Sequence, residues 1–176
     1  SKNKAYFLFV GSLHPRKNVK RLVEAFSAFS LTNSEIDLVI VGNAMWKQEG
    51  FNLTTDTKER VHFLGHLSTS ELSRVTGAAF ALSYVPYFEG FGIPLVEAMR
   101  CGVPIISANT SCLPEIAGDA AIYCDPFSVN DITDKMCQLA EDSALHSSLS
   151  EKAKERSSQF SWDLAANQVW EALIKK

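Results

Sequence analysis

A chain of 176 residues, 46% apolar and 21% charged, is long enough to bury one globular core, at most two small ones. Its net charge of −3 gives no electrostatic reason to expect nucleic acid or an anionic membrane as the main partner. No apolar run reaches the roughly 18 residues of a bilayer-spanning helix, and "SKNKAYFLFVGS" lacks the length and cleavage pattern of a secretory signal.

Apolar runs of strand length alternate with helix-period segments along most of the chain. "KAYFLFV" (4–10) reads as a buried strand, and "NVKRLVEAFSAF" places Val19, Leu22, Val23, Phe26 and Phe29 at helical spacing. "IDLVIVG" (36–42) is a second strand. The stretch 43–60 reads as a poorly defined helix or a loop, and "VHFLG" (61–65) as the third strand. In "STSEL", Ser68 followed by Glu71 has the pattern of a capping box opening a helix. "AAFALSYV" (78–85), "VPIISA" (103–108) and "AAIYC" (120–124) complete six strands. From Val129 to Lys176 only helix is expected, with Val129, Ile132, Met136 and Leu139 on one face and "EKAKER" (151–156) as a solvated face.

Alternating strands and helices predict a single α/β domain over 1–176, with a doubly wound, Rossmann-like parallel sheet in the order 3-2-1-4-5-6. In such a sheet ligands bind at the carboxyl ends of strands 1 and 4, where the winding reverses. The chemistry of this chain gathers there. "GSLHPRKN" (11–18) follows strand 1: Gly11 permits close backbone approach, and Arg16 and Lys17 stand at the start of the next helix. Cations there oppose the helix dipole by a few tenths of a kcal/mol, roughly, so an anion, most simply a phosphate, is expected beside them. A solvated basic turn without a ligand is the alternative. No P-loop and no GxGxxG is present.

After strand 4 comes "EGFGIPLVEAM". Pro94 suits the first turn of a helix reaching about Cys101, and Gly90 and Gly92 free the backbone N–H groups at its start. Glu89 precedes this helix and Glu97 is read into its first turn, so both carboxylates can face one crevice. Capping alone would explain either one. Together with Arg16 and Lys17, they offer acceptors for hydroxyls and cations for phosphates, as a sugar nucleotide requires.

These motifs resemble those of retaining glycosyltransferases with the GT-B fold, whose signature is E-x7-E. The resemblance extends through "FVGSLHPRKNVKRLVEAF", "VHFLGHLSTSEL", "GVPIISANTSCLPEIAGDAAIYCDP" and "FSWDLAANQVWEAL", from Phe7 to Trp170. It covers the C-terminal, donor-binding domain of that fold. The resemblance implies that Glu89 contacts hydroxyls of the donor sugar and that Glu97 binds the ribose. Lys17, with Arg16, would neutralise the diphosphate. The backbone at Gly11, Ser12, Gly90, Phe91, Gly92 and Ile93 would approach sugar and diphosphate, and His66 and Leu67 would lie against the base. Ser12 stands where many members have Arg, and "VPYFEGFG" replaces the usual "PSxxEGFG".

The implied reaction moves a hexose, mannose favoured, from a GDP- or UDP-sugar to a glycan or lipid-linked acceptor with retention. No cofactor or metal is expected, and the chain contains no DxD triplet. The acceptor would sit on an N-terminal domain that this chain lacks, and a membrane surface would be met only through the full-length protein. Either "WDLAANQVWEALIKK" docks on that domain and exposes Trp162 or Trp170, or both tryptophans pack on the core. A non-catalytic nucleotide-binding module, and a GT-B relative such as a sugar-nucleotide epimerase or a phosphorylase, are the rival readings.

Cys101, Cys112, Cys124 and Cys137 form no CxxC. They are expected as buried or half-buried free thiols in a reducing, cytoplasmic setting. His14 is expected as a loop residue near the diphosphate, His62 as structural, His146 as surface, and Glu115 as support for a short helix start.

Overall fold

The computed structural model describes residues 4–43 and 55–174. Strands β1 (Ala5–Val10), β2 (Ile36–Val41), β3 (Val61–Gly65), β4 (Ala81–Tyr84), β5 (Ile105–Ala108) and β6 (Ala121–Cys124) form one sheet ordered β3-β2-β1-β4-β5-β6. Every pairing is parallel. All residues of β2, β4 and β5 are buried, which is why they read as continuous apolar runs rather than alternating ones. Pairing is uneven: β1 pairs with β2 from Ala5↔Ile36 to Val10↔Val41, but with β4 only through Phe7↔Ala81 and Leu8↔Leu82.

Helices α1 (Val19–Ser30), α2 (Thr55–Arg60), α3 (Thr69–Gly77), α4 (Ile93–Arg100), α5 (Leu113–Ala117), α6 (Val129–Glu141), α7 (Ser143–Ser157) and α8 (Trp162–Ile174) are wound around the sheet. The five apolar residues of α1 picked out by spacing are all buried. Phe7 meets Phe29 edge-on at 5.3 Å, joining β1 to α1. α1 packs on α6, where the Thr133 hydroxyl donates to Ala25 O at 3.1 Å, and α4 packs against α3, α5 and α7. At α3, Ser68 and Glu71 form the expected capping box, and the hydrogen bonds from Ser68 hold the Glu71 carboxyl below its ordinary range.

Several expectations need correction. β4 starts at Ala81, not Ala78, because Ala78 closes α3 by donating its N–H to Arg74 O at 3.1 Å. Of the stretch 43–60, residues 55–60 form α2, while 44–54 lie outside the described residues. Cys101 is exposed, whereas Cys112 and Cys137 are half-buried and Cys124 is buried, its thiol pushed up to about 12 chiefly by that burial. His146 is half-buried and not a free surface residue: its ring centroid lies 4.4 Å from that of Phe80, and Nε2 is 2.9 Å from Phe80 O. His62 is structural as expected, 2.9 Å from the buried Asp37. Glu115 lies in the first turn of α5.

The structure decides between the two alternatives for the tryptophans of α8. None of its residues is buried, and Trp162 and Trp170 are 87% and 63% exposed, so neither tryptophan packs on this core. Among the described residues no helix is long and apolar enough to cross a membrane.

Candidate functional site

The loop after β1 does not lead straight into α1. Pro15–Lys17 form a 3-10 turn whose start is held by His14, with Nδ1 accepting the Arg16 N–H at 3.1 Å. Asn18 then adopts the left-handed conformation, φ 61°, before the helix begins at Val19. Arg16 and Lys17 therefore precede the helix instead of occupying its first turn, and the dipole argument for an anion loses its geometry. A different anion is present. Glu89, 8% exposed, accepts from Arg16 Nη1 at 2.8 Å and from Lys17 Nζ.

Lys17 is itself buried, and its ammonium also donates to the Tyr84 hydroxyl at 2.6 Å. Tyr84 is fully buried at the end of β4; burial first, then the Glu89 charge, hold its phenol protonated far above the ordinary range. A buried charge survives only when paired and hydrogen-bonded, and here two cations surround one carboxylate. The surplus positive charge lies at Arg16, whose side chain is 45% exposed. Asn18 binds the neighbouring loops together, its carboxamide donating to Val85 O at 2.9 Å and Pro126 O at 2.7 Å. Tyr87 N–H donates to Arg16 O at 2.9 Å, and Arg21 donates to the Tyr87 hydroxyl.

Glu89 does not cap α4. The N-cap is Gly92, φ 91°, which has no side chain to offer the first turn; Pro94 there lacks an N–H and Leu95 N–H donates to Gly92 O at 2.9 Å, which leaves the Ile93 N–H to face the crevice. A Cβ on Gly92 would lie 2.7 Å from Leu113 Cδ2, whereas beside Gly90 there is open space. Phe91 and Ile93 are exposed, and the Phe91 and Phe160 rings meet edge-to-face with centroids 6.2 Å apart. Glu97 is in the second turn of α4, not the first; it is exposed, and partial burial pushes its carboxyl up.

The structure thus brings Arg16, Lys17 and Glu89 into one cluster at the carboxyl ends of β1 and β4. Gly11 and Ser12 follow β1 beside it, and Gly11 N–H donates to Val41 O at 2.9 Å. Glu97, His66 and Leu67 are not hydrogen-bonded to the cluster; His66 and Leu67 follow β3, on the far side of β2 from β1. The sequence reading missed Asn18, Tyr84, Ser111, Cys112 and Gly42. An asparagine between a turn and a helix is a signal for αL. At Gly42 a Cβ would lie 1.9 Å from Gly11 O, so only glycine fits, but a strand-end glycine alone does not announce that. Among the described residues no group of acidic, histidine or cysteine side chains could hold a metal ion.

Residues 1–156 match the sequence profile of the family described as Glycosyl transferases group 1. The chain belongs to this family. Among its relatives is the O-antigen chain mannosyltransferase B of Escherichia coli, 30% identical over 168 residues, which cover 93% of this chain and 44% of that protein. The chain thus spans less than half the length of this relative. Anabaena Alr3699/HepE, solved in complex with UDP and glucose, superposes with a TM-score of 0.85 at 21% identity over 99% of this chain and 49% of that one. The C-terminal domain of LpcC, a glycosyl transferase group 1 protein of Francisella tularensis, superposes with a TM-score of 0.77 at 20% identity, covering 88% and 85% of the two chains. At these identities the solved structures establish a shared fold, with the sheet order and surrounding helices expected of a Rossmann-like GT-B domain.

Proposed function

We propose that this chain is the donor-binding half of a retaining glycosyltransferase that takes a hexosyl unit from a nucleoside-diphosphate sugar. The observation that carries the proposal is the cluster of Arg16 and Lys17 around Glu89 at the β1/β4 switch point. A doubly wound sheet binds its ligand there. The cluster holds a carboxylate that can accept sugar hydroxyls beside cations that can meet a diphosphate. The UDP complex of a solved structural neighbour is consistent with such a ligand.

Within this reading, Arg16, the more exposed cation, meets the phosphates first. A diphosphate arriving at the crevice competes with Glu89 for Arg16 and Lys17, and so frees carboxylate oxygens for the sugar. As the bond to the sugar breaks, charge grows on the departing diphosphate. Fixed cations and the Ile93 N–H at the start of α4 can stabilise that charge without reorganising. Glu97 accepts from the ribose, the backbone of Gly11, Ser12 and Gly90–Ile93 lines the diphosphate and sugar, and His66 and Leu67 flank the base. Cations in this arrangement make a metal unnecessary.

Mannose as the favoured sugar rests on the relatives named mannosyltransferases. The acceptor, a glycan or lipid-linked saccharide, would bind an N-terminal domain, and the exposed face of α8 is the part of this chain suited to dock there. The chain alone would then bind nucleotide sugar and transfer little.

A thermal-shift panel of GDP, UDP, ADP and their hexose-linked forms tests the proposal. A ligand at 100 times its Kd stabilises by about 2.7 kcal/mol. The expected result is a rise in Tm with GDP or UDP and a further rise with the matching sugar. If no nucleoside diphosphate moves the Tm, the donor-binding reading is lost.

A further inference from the structure

Four consecutive residues, Thr110 to Cys112 between β5 and α5 and Leu113 at the start of α5, face the stretch that carries Glu89. Thr110 Oγ1 donates to Pro86 O at 3.3 Å, and Ser111 Oγ accepts the Glu89 N–H at 3.2 Å. Cys112 Sγ donates to Glu89 O at 3.3 Å, and Leu113 packs against Gly92. Both polar backbone groups of Glu89 are therefore held by neighbouring side chains of another loop. The carboxylate has no such freedom either, since Arg16 and Lys17 hold it from the β1 side.

Ser111 adopts φ 53°, and with Asn18 it is one of two non-glycine residues at positive φ among the described residues. Glycine would occupy that conformation at lower strain. Both left-handed residues use their side chains on the same loop, Asn18 at Val85 and Ser111 at Glu89. A side chain kept in a conformation that disfavours it, and accepting the backbone N–H of the buried glutamate of the crevice, points to use of its oxygen.

We propose that Ser111 and Cys112 are positioning residues that fix the backbone of Glu89, and through it the direction of its carboxylate towards the donor sugar. The inference rests on the donor-binding reading above for its functional consequence, but not for the hold on Glu89 itself. Neither residue takes part in bond making. Loss of the Ser111 oxygen leaves the diphosphate-binding cations in place and loosens only the group that meets the sugar, so discrimination between a sugar nucleotide and its bare diphosphate should fall.

Ser111→Gly separates this role from a merely structural one, because it relieves the φ strain while removing the acceptor. Two measurements on the chain are decisive. Hydrogen exchange at the Glu89 amide, read by NMR, should be faster in Ser111→Gly by about fivefold, the value of one neutral hydrogen bond. Calorimetric titration with GDP, UDP, GDP-mannose and UDP-glucose should show about fivefold weaker binding of the preferred sugar nucleotide. Affinity for its bare diphosphate, and the unfolding midpoint, should be kept. Cys112→Ala should act in the same direction and Cys112→Ser, which retains a donor, should restore binding. Glu89→Gln provides the reference for full loss of the sugar increment.

Unchanged Glu89 exchange in Ser111→Gly overturns the hold on Glu89. Faster exchange with an undiminished sugar increment, in the face of a loss in Glu89→Gln, overturns its functional consequence. Failure of every nucleotide to bind the unmodified chain overturns the donor reading instead, while faster exchange in that same case still supports the hold.

Discussion

The crevice between β1 and β4 hides ionised side chains, while α8 presents tryptophans to water. Lys17 and Glu89 are each about nine-tenths buried, and each has partners supplied from within the chain. α8 buries none of its 13 residues, and Trp162, Leu164, Val169, Trp170, Leu173 and Ile174 are all exposed. A buried charge must be satisfied by the fold that buries it, whereas an apolar face can stay open only where something outside covers it or where exposure is tolerated. The first region is satisfied from within the chain. The second leaves its apolar face open among the described residues.

The sharpest way to break that contrast is to remove one partner inside the crevice. Lys17→Met leaves the carboxylate of Glu89 buried with Arg16 as its remaining cation, and should lower stability by about 3 kcal/mol in urea unfolding. The double variant Lys17→Met with Glu89→Leu should recover most of the loss, since an apolar pair does not leave a charge stranded. A cost below about 1 kcal/mol for the single variant would mean that water, not Lys17, satisfies Glu89.

Next comes Gly92→Ala, which forces φ 91° on an alanine and sets its Cβ against Leu113; it should cost about 2 kcal/mol by the same measurement. The third test uses Glu97, whose pKa is raised by partial burial. A raised carboxyl pKa means that the folded state holds the proton more tightly than the unfolded one. Its stabilising effect is thus present at acid pH and lost as pH rises through the folded value. If Glu97 binds the ribose as proposed, nucleotide binding should run the opposite way, because the hydroxyls would need the carboxylate. Affinity should be full above the raised pKa and fall by up to about tenfold per pH unit below it, and Glu97→Gln should flatten that part of the profile. The smallest effect is expected at the other pole of the comparison. Deleting residues 162–176 should change unfolding stability by less than about 0.5 kcal/mol, and a larger loss would show that α8 is held to the core after all.

What the residues disclosed before any coordinates follows the range of the forces involved. Buried parallel strands are written as local apolar runs, so "IDLVIVG" and "VPIISA" were legible. Spacing within α1 and the Ser68–Glu71 box are likewise local, and were legible for the same reason. The boundary of β4 was misjudged because Ala78 and Ala79 are apolar yet complete the end of α3. At the site, the importance of Glu89, Arg16 and Lys17 could be read, but not that they bind one another, because their contacts join residues 72 and 73 apart in the chain. Tyr84 ended an apolar strand without revealing that its hydroxyl receives Lys17. Nothing in "NTSCLPE" foretold that Ser111 and Cys112 grip the backbone of Glu89. Long-range polar complementarity leaves no periodic trace in one sequence.

The brief pairing of β1 with β4 has a mechanical consequence. β1–β3 and β4–β6 are two contiguous halves of the chain, zipped to each other by only two strand-register pairs. The backbone crosses that seam between Gly77 and Ala81 and returns as α6, laid against α1. Beside the backbone bonds from Phe80 N–H to Tyr6 O and from Tyr87 N–H to Arg16 O, side chains of the site stitch the seam: Lys17 to Tyr84 and Glu89, Arg16 to Glu89, Asn18 to Val85, Arg21 to Tyr87. A ligand lodged among them would act as a clasp. Chain cut at residues 78–80 should reassemble from its fragments more readily in the presence of that ligand, which makes fragment complementation a direct gauge of what the crevice holds.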